Sequence, residues 1–241
     1  MELKKATELY LEKNGYDRFD LKAVLFDMDG VLYDSMRNHA FSWTKVMLRH
    51  GFKMTEREAY LHEGRTGDNT IDIVSKREGR TIGAEERKKI YAEKMKAFAD
   101  CPPVVPMDGS LELLEKVTGN GYFVMLVTGS GQATLLDRLN TDFPGFFTRE
   151  RMITAFDVTK GKPNPEPYLK ALERGNLQPD EAIVVENAPL GIQAAKAAGI
   201  FTIAANTGLL SDNVLQEAGA DIVFPSIRAI YDNWEKILNV L

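Results

Sequence analysis

The sequence predicts an α/β fold in which a doubly wound parallel sheet carries a small helical insert. Three features predict it. The first is Ala23-Val24-Leu25-Phe26 running straight into Asp27-Met28-Asp29-Gly30. Four apolar residues met at once by two carboxylates and a glycine read as a central strand buried on both faces, ending at an edge where ligands bind. The second is the alternation of short apolar runs with helically spaced segments from Pro106 onward, the pattern of strand–helix–strand units. The third is a change of texture from Ser35 to about Pro106, where charged residues are dense, β-branched runs vanish and apolar residues recur at three and four.

Ahead of the first strand, residues Met1 to Asp20 place Leu3, Ala6, Leu9, Tyr10 and Tyr16 among Lys and Glu. That spacing predicts an added amphipathic helix ending near Asn14-Gly15. In the insert, Phe41, Trp43, Val46 and Met47, then Ile71 and Val74, then Ile90, Tyr91, Met95 and Phe98 mark helical faces. Asp34-Ser35 and the Pro102-Pro103…Pro106 stretch suit hinges or stiff linkers, so a core of residues 1–34 and 106–241 is expected to carry a helical cap at 35–105 that acts as a lid. After Pro106, Leu111–Val117 reads as helix, Tyr122–Val127 as strand, Leu135–Leu139 as helix and Met152–Phe156 as a short strand. Pro165–Arg174 reads as helix, Ala182–Val185 as strand, a small-residue helix runs through Ala198 to Gly199, and Ile200–Ala204 and Asp221–Phe224 complete the sheet. Function in such sheets gathers at the carboxyl ends of strands. Here those ends hold Asp27, Asp29, Thr128, Glu186 and Asn187, with Lys162 just beyond one of them.

Composition narrows the partners. The 241-residue chain carries 30 Lys and Arg against 35 Asp and Glu, a formal charge of −5 with no basic run. Nucleic acid is therefore a poor candidate partner and a small solute a better one. The single Cys101 excludes an intrachain disulfide framework and fits a reducing compartment. No run of eighteen apolar residues and no apolar signal core is present, so a cytoplasmic protein with no membrane partner is expected, as a monomer or weak oligomer.

The strand ends imply phosphate chemistry. Asp27 and Asp29 are two apart on extended backbone, so both side chains point the same way with α-carbons about 6.5 Å apart. Such a pair suits a nucleophile and a general acid/base flanking one reacting atom. Thr128-Gly129-Ser130 offers a hydroxyl and backbone N–H groups at a helix start, a seat for an anion, although the same triplet also makes ordinary turns. Lys162, between Gly161 and Pro163, is free to project into the cleft. Glu186-Asn187 follows four apolar residues, and oxygen ligands beside two Asp suit Mg²⁺; helix capping by Asn187 is the plainer alternative.

Taken together, DxDG on the first strand, Thr on the second, Lys-Pro later and Glu-Asn on the fourth resemble the haloacid dehalogenase (HAD) superfamily of phosphotransferases from about Leu21 to the C-terminus. His39 and Trp43 as H-x-x-x-W, with Arg65 in the insert, are similar to its β-phosphoglucomutase subgroup, which has a Rossmann-like core and a small helical cap. The resemblance implies that Asp27 is the nucleophile that becomes an aspartyl phosphate and Asp29 the general acid/base. It further implies that Thr128 holds the phosphoryl group, Lys162 offsets charge, and Mg²⁺ is bound by Asp27, the Asp29 backbone carbonyl, Glu186 and Asn187.

Two departures bear on the substrate. The subgroup usually shows Glu-Asp where this chain has Glu186-Asn187, and its mutases tend to carry a lysine just after the serine that follows the second motif, where this chain reads Ser130-Gly131-Gln132. The insert's His62-Glu63-Gly64-Arg65-Thr66-Gly67 can bring Glu63 and Arg65 over the nucleophile. The chain is also similar to a branch of the superfamily that hydrolyses inorganic pyrophosphate, in which a cap glutamate like Glu63 and the Asn of the metal pair recur. The expectation is a Mg²⁺-dependent phosphohydrolase of a small phosphorylated substrate, with pyrophosphate the leading candidate. Glu63 is expected to meet a cation carried by that substrate, and Arg65, His39 and Lys94 to take distal phosphate oxygens beside Gly129 and Ser130. The alternatives are a β-phosphoglucomutase that moves phosphate between sugar hydroxyls, and a non-catalytic phosphate-binding module.

Overall fold

A computed structural model describes residues 2–131 and 133–241, without the side chains of residues 2 and 133–137. Six parallel strands stand in the order β3-β2-β1-β4-β5-β6: β1 Ala23–Phe26, β2 Phe123–Val127, β3 Met152–Ile153, β4 Ala182–Glu186, β5 Phe201–Ala205 and β6 Ile222–Phe224. The chain winds outward from β1 through β2 to β3 on one side, and from β4 to β6 on the other. The order therefore reverses beside β1, and the crevice beyond the carboxyl ends of β1 and β4 is where such sheets bind ligands. In-register pairing of Phe26 with Leu126 and with Val185 brings Asp27, Thr128 and Glu186 to that one edge.

Every β1 residue is buried, as a strand covered on both faces requires. One face packs against α1 (Glu2–Asn14), α6 (Ser110–Gly119), α7 (Ala133–Asp142) and α11 (Ile227–Leu238), the other against α8 (Glu166–Gly175) and α9 (Pro189–Ala197). The N-terminal helix docks through Tyr10, whose hydroxyl donates to the Gly199 carbonyl at 2.8 Å and whose ring meets Phe19 and Phe201. Among the described residues no helix is long and apolar enough to cross a membrane.

Three local expectations change. The strand expected over Met152–Phe156 ends at Ile153, because the Asp157 carboxylate accepts from the Thr154 N–H at 2.8 Å and its hydroxyl at 2.9 Å and turns the chain. Phe156 is left exposed by that turn. Two helices not singled out from sequence appear: α10 (Asp212–Glu217), and α11, which buries Ile227, Ile230, Trp234 and Ile237. Phe41, counted among the apolar spacing of the insert, faces outward.

Between β1 and β2 stand α2 (Met36–Arg49), α3 (Glu56–Leu61), α4 (Gly67–Arg77) and α5 (Ala84–Ala99), which enclose an apolar cluster of their own around Trp43, Val46, Ile71, Val74 and Ile90. Thr55 starts α3 with a reciprocal capping box to Glu58. The return linker lies against the core: Asp34 N–H donates to the Val105 carbonyl at 2.9 Å, and Arg138 of α7 donates to the Val104 carbonyl at 2.8 Å. The loop after α3 sits directly on the phosphate-seat loop. A β-carbon at Gly129 would come within 2.5 Å of the Gly64 carbonyl oxygen, so only glycine allows the insert to approach this closely.

Candidate active site

The carboxyl edge of the sheet forms the floor of a cleft and the loop after α3 forms its roof. The cavity between them, about 50 Å³, is bounded below by Asp27, Asp29, Thr128, Gly129 and Ser130 and above by His39, Glu63, Arg65 and Lys94, all residues singled out from sequence. Met36, Trp43, His62 and Tyr91 line it as well and were not assigned a site role beforehand.

Beneath the floor lies a closed ionic cluster. The fully buried Lys162 donates to Asp27 Oδ1 at 2.6 Å, to Glu186 Oε1 at 2.6 Å and to the Val127 carbonyl at 3.0 Å. Those three bonds use every proton of the ammonium. Burial acts to lower the Lys162 pKa, yet the two carboxylates hold it well above the ordinary lysine value. Asp27 is raised as well: burial, with Glu186 and Asp29 nearby, pushes its carboxyl up against the pull of Lys162. With those two acids beside it, the Asp27 carboxylate needs added positive charge to stay ionised.

Glu186 differs from its expected part. Its Oε1 accepts from Lys162 and from the Tyr168 hydroxyl at 3.0 Å, while its Oε2 accepts from the N–H groups of Asn187 at 2.9 Å and Ala188 at 3.0 Å. All four acceptor positions of the carboxylate are taken by protein donors, so it anchors the cluster and offers no spare lone pair to a metal. Asn187 does offer one. Its Oδ1 is buried with no protein partner, while its Nδ2 donates to the Glu63 carboxylate oxygens at 3.2 and 3.4 Å. Among the described residues no three His, Cys, Asp or Glu side chains converge as a metal cluster. The oxygen set that suits a hard cation is the Asp27 carboxylate, the Asp29 carbonyl and Asn187 Oδ1.

Asp29 is held by a chain of groups running into the insert. Its Oδ1 accepts from Ser35 Oγ at 2.6 Å and lies 3.2 Å from His39 Nε2, and His39 Nδ1 lies 3.0 Å from Lys94 Nζ. Lys94 is buried between the rings of Trp43 and Phe98. Burial acts to raise the Asp29 pKa, but His39, Ser35 and Lys94 outweigh it and leave the carboxyl below the usual range. Burial lowers Lys94 to about 8, and burial with the nearby Lys94 ammonium lowers His39. His39 and Lys94, expected to take distal phosphate oxygens, are thus engaged with Asp29 in this state. Thr128 is buried and its Oγ1 accepts from the Ser130 N–H at 3.0 Å, which shapes the anion seat before α7. Gln132 lies outside the described residues.

The roof is less satisfied. Burial, then Asp27, Glu186 and Asp29, push Glu63 well above the ordinary glutamate value, and Asn187 opposes them only in part. Arg65 Nε and His62 Nδ1 are buried without a partner, and burial lowers the pKa of both side chains. Tyr168 was missed from sequence because it acts through Glu186 on a neighbouring element, and Ser35 was read only as a hinge although its hydroxyl donates to Asp29.

Relatives agree with this geometry. A family model described as haloacid dehalogenase-like hydrolase matches residues 24–205. A phosphorylated carbohydrates phosphatase of Thermotoga maritima is 34% identical over 92% of this chain and 98% of its own length. Validoxylamine A 7'-phosphate phosphatase of Streptomyces hygroscopicus is 33% identical over 77% of this chain and 86% of its own. A solved structure named as a candidate beta-phosphoglucomutase of Bacteroides vulgatus is 56% identical, covers 100% of this chain and 98% of its own, and superposes with a TM-score of 0.96. With its strand-edge carboxylates, buried lysine and helical insert in these positions, the chain belongs to the haloacid dehalogenase-like hydrolase family.

Proposed function

We propose that this enzyme is a Mg²⁺-dependent phosphohydrolase that works through an aspartyl phosphate on Asp27, with inorganic pyrophosphate as its substrate. The observation that carries the choice of substrate is the half-buried Glu63 carboxylate, held by Asn187 over a floor that already contains Asp27, Asp29 and Glu186. A fourth acid over that floor suits a highly anionic ligand that arrives with its own cation better than a sugar ring. Asp27, the Asp29 carbonyl and Asn187 would hold Mg²⁺, which would polarise the phosphoryl oxygens and offset their charge.

In this reading an Asp27 oxygen attacks phosphorus, the bond to the leaving phosphate breaks, Thr128 holds the transferring group, and Lys162 offsets charge through its bond to Asp27. Asp29 then takes a proton from water, whose oxygen attacks the phosphorus of the aspartyl phosphate and releases Asp27. An acid held below the usual carboxylate range serves that second step as a base. Phosphate leaves readily and needs little help from a proton, whereas a sugar alkoxide needs a good acid. The insert at 35–105 acts as the lid, and Arg65 meets the far phosphate.

A second reading has support from the relatives, whose names include phosphatases of phosphorylated carbohydrates and a beta-phosphoglucomutase candidate. The test is a panel of pyrophosphate, hexose phosphates and β-glucose 1-phosphate, scored for released phosphate and for glucose 6-phosphate with Mg²⁺ and with a chelator. Mg²⁺-dependent phosphate release, fastest from pyrophosphate, is expected. Efficient conversion of β-glucose 1-phosphate to glucose 6-phosphate with pyrophosphate untouched would replace the proposal with the mutase.

A further inference from the structure

We infer that Tyr168, on α8 and outside the cleft, is a positioning residue for phosphoryl transfer because its hydroxyl sets where the Lys162 ammonium stands between Asp27 and Glu186. The inference rests on the phosphohydrolase reading above and extends it to a residue that touches no substrate. Tyr168 is fully buried, its hydroxyl donates to Glu186 Oε1 at 3.0 Å, and its ring lies 5.1 Å from Lys162 Nζ. One side chain thus touches two members of the cluster, the carboxylate through its hydroxyl and the ammonium through its π-face.

Lys162 has three protons and gives them to Asp27, Glu186 and a carbonyl, so any change in the Glu186 bond is felt at the Asp27 bond. The two carboxylates compete for one cation at equal distances of 2.6 Å. Donation from Tyr168 draws off part of the negative charge on Glu186 Oε1 and weakens its hold on the ammonium. The balance then favours Asp27, where charge changes during transfer. Glu186 has no other freedom: two backbone N–H groups fix its Oε2, and a β-carbon at Gly191 would overlap Oε1 at 1.7 Å, so the carboxylate fills the only space left for it. Without the hydroxyl, Oε1 would face a buried, apolar ring edge with only Lys162 to satisfy it, and the ammonium would shift toward Glu186.

Tyr168→Phe keeps the ring and removes only the hydroxyl. With the best substrate of the wild type, kcat is expected to fall about tenfold while KM stays close to wild type, since a lost hydrogen bond to a charged group is of that size. The melting temperature reports folding, and Tyr168→Leu, which also removes the ring, is expected to lose more kcat than Tyr168→Phe. A second readout does not depend on turnover: the ¹⁵N resonance of the Lys162 ammonium is expected to move in Tyr168→Phe and to stay in a control, Thr202→Val, placed on β5. An unchanged kcat with an unmoved resonance would overturn the inference, and so would a rise in KM alone. If the wild type releases phosphate from no substrate, the phosphohydrolase reading fails, and the ammonium resonance still decides whether Tyr168 positions Lys162.

Discussion

The floor and the roof of the cleft are built on opposite terms. In the floor, Lys162, Glu186 and Asp27 form a cluster in which every lysine proton and every Glu186 acceptor site is used inside the protein. In the roof, Arg65 Nε and His62 Nδ1 are buried without partners and Glu63 is pushed toward its neutral form by burial and then by three neighbouring acids. A saturated floor is already arranged for the reaction and needs no rearrangement when a phosphoryl group arrives. An unsatisfied roof carries a desolvation cost that a ligand relieves, so the difference between ligands is decided there. In the proposed reading, chemistry lies in the floor and selectivity in the roof.

The largest expected effect breaks the floor. Asp27→Asn is nearly isosteric and leaves Lys162 a hydrogen-bond acceptor, yet removes the attacking oxygen. Turnover is expected to fall roughly 10⁴- to 10⁶-fold with the melting temperature little changed. Activity near wild type would end the covalent account and leave Asp27 a structural member of the cluster.

The smallest expected effect lies away from both surfaces and calibrates them. The Asp157 carboxylate is nearly buried and accepts from Arg149, Arg174 and Thr154, which hold its pKa below the usual range although burial acts to raise it. A depressed folded pKa stabilises above the unfolded value of about 3.9 and is lost as pH falls through the folded value. Asp157→Asn is therefore expected to cost about 1–3 kcal/mol at neutral pH, with the gap from wild type closing at acid pH and with kcat unchanged. Denaturant titrations at several pH values measure it. A gap that widens toward acid would mean that the carboxylate is not the stabilising partner.

How much of this was legible in the sequence depends on whether a signal was local. Ala23–Phe26 with Asp27 and Asp29 could be read because burial on both faces and two-residue spacing are properties of one strand. The order of strands with their edge residues placed Thr128, Lys162 and Glu186 at one site for the same reason. Glu186 as an anchor was not legible: that role depends on Tyr168, and on the room left at Gly191, neither of which spacing reveals. Lys94 was expected to take distal phosphate oxygens. It is instead stacked between Trp43 and Phe98 and pointed at His39, a result of how α2 and α5 pack. The early end of β3 at Ile153 came from the Asp157 side chain competing with the strand for the Thr154 N–H.

The most direct test of the division between floor and roof is Glu63→Gln, which keeps the shape of the roof and removes its charge. The measurement is kcat/KM for pyrophosphate and for a hexose phosphate in wild type and variant, with Mg²⁺ saturating. The account predicts a loss of roughly 10²-fold on pyrophosphate, the size of one removed electrostatic contact in a closed site, with little change on the hexose phosphate. Equal loss on both substrates, or none on pyrophosphate, would contradict it.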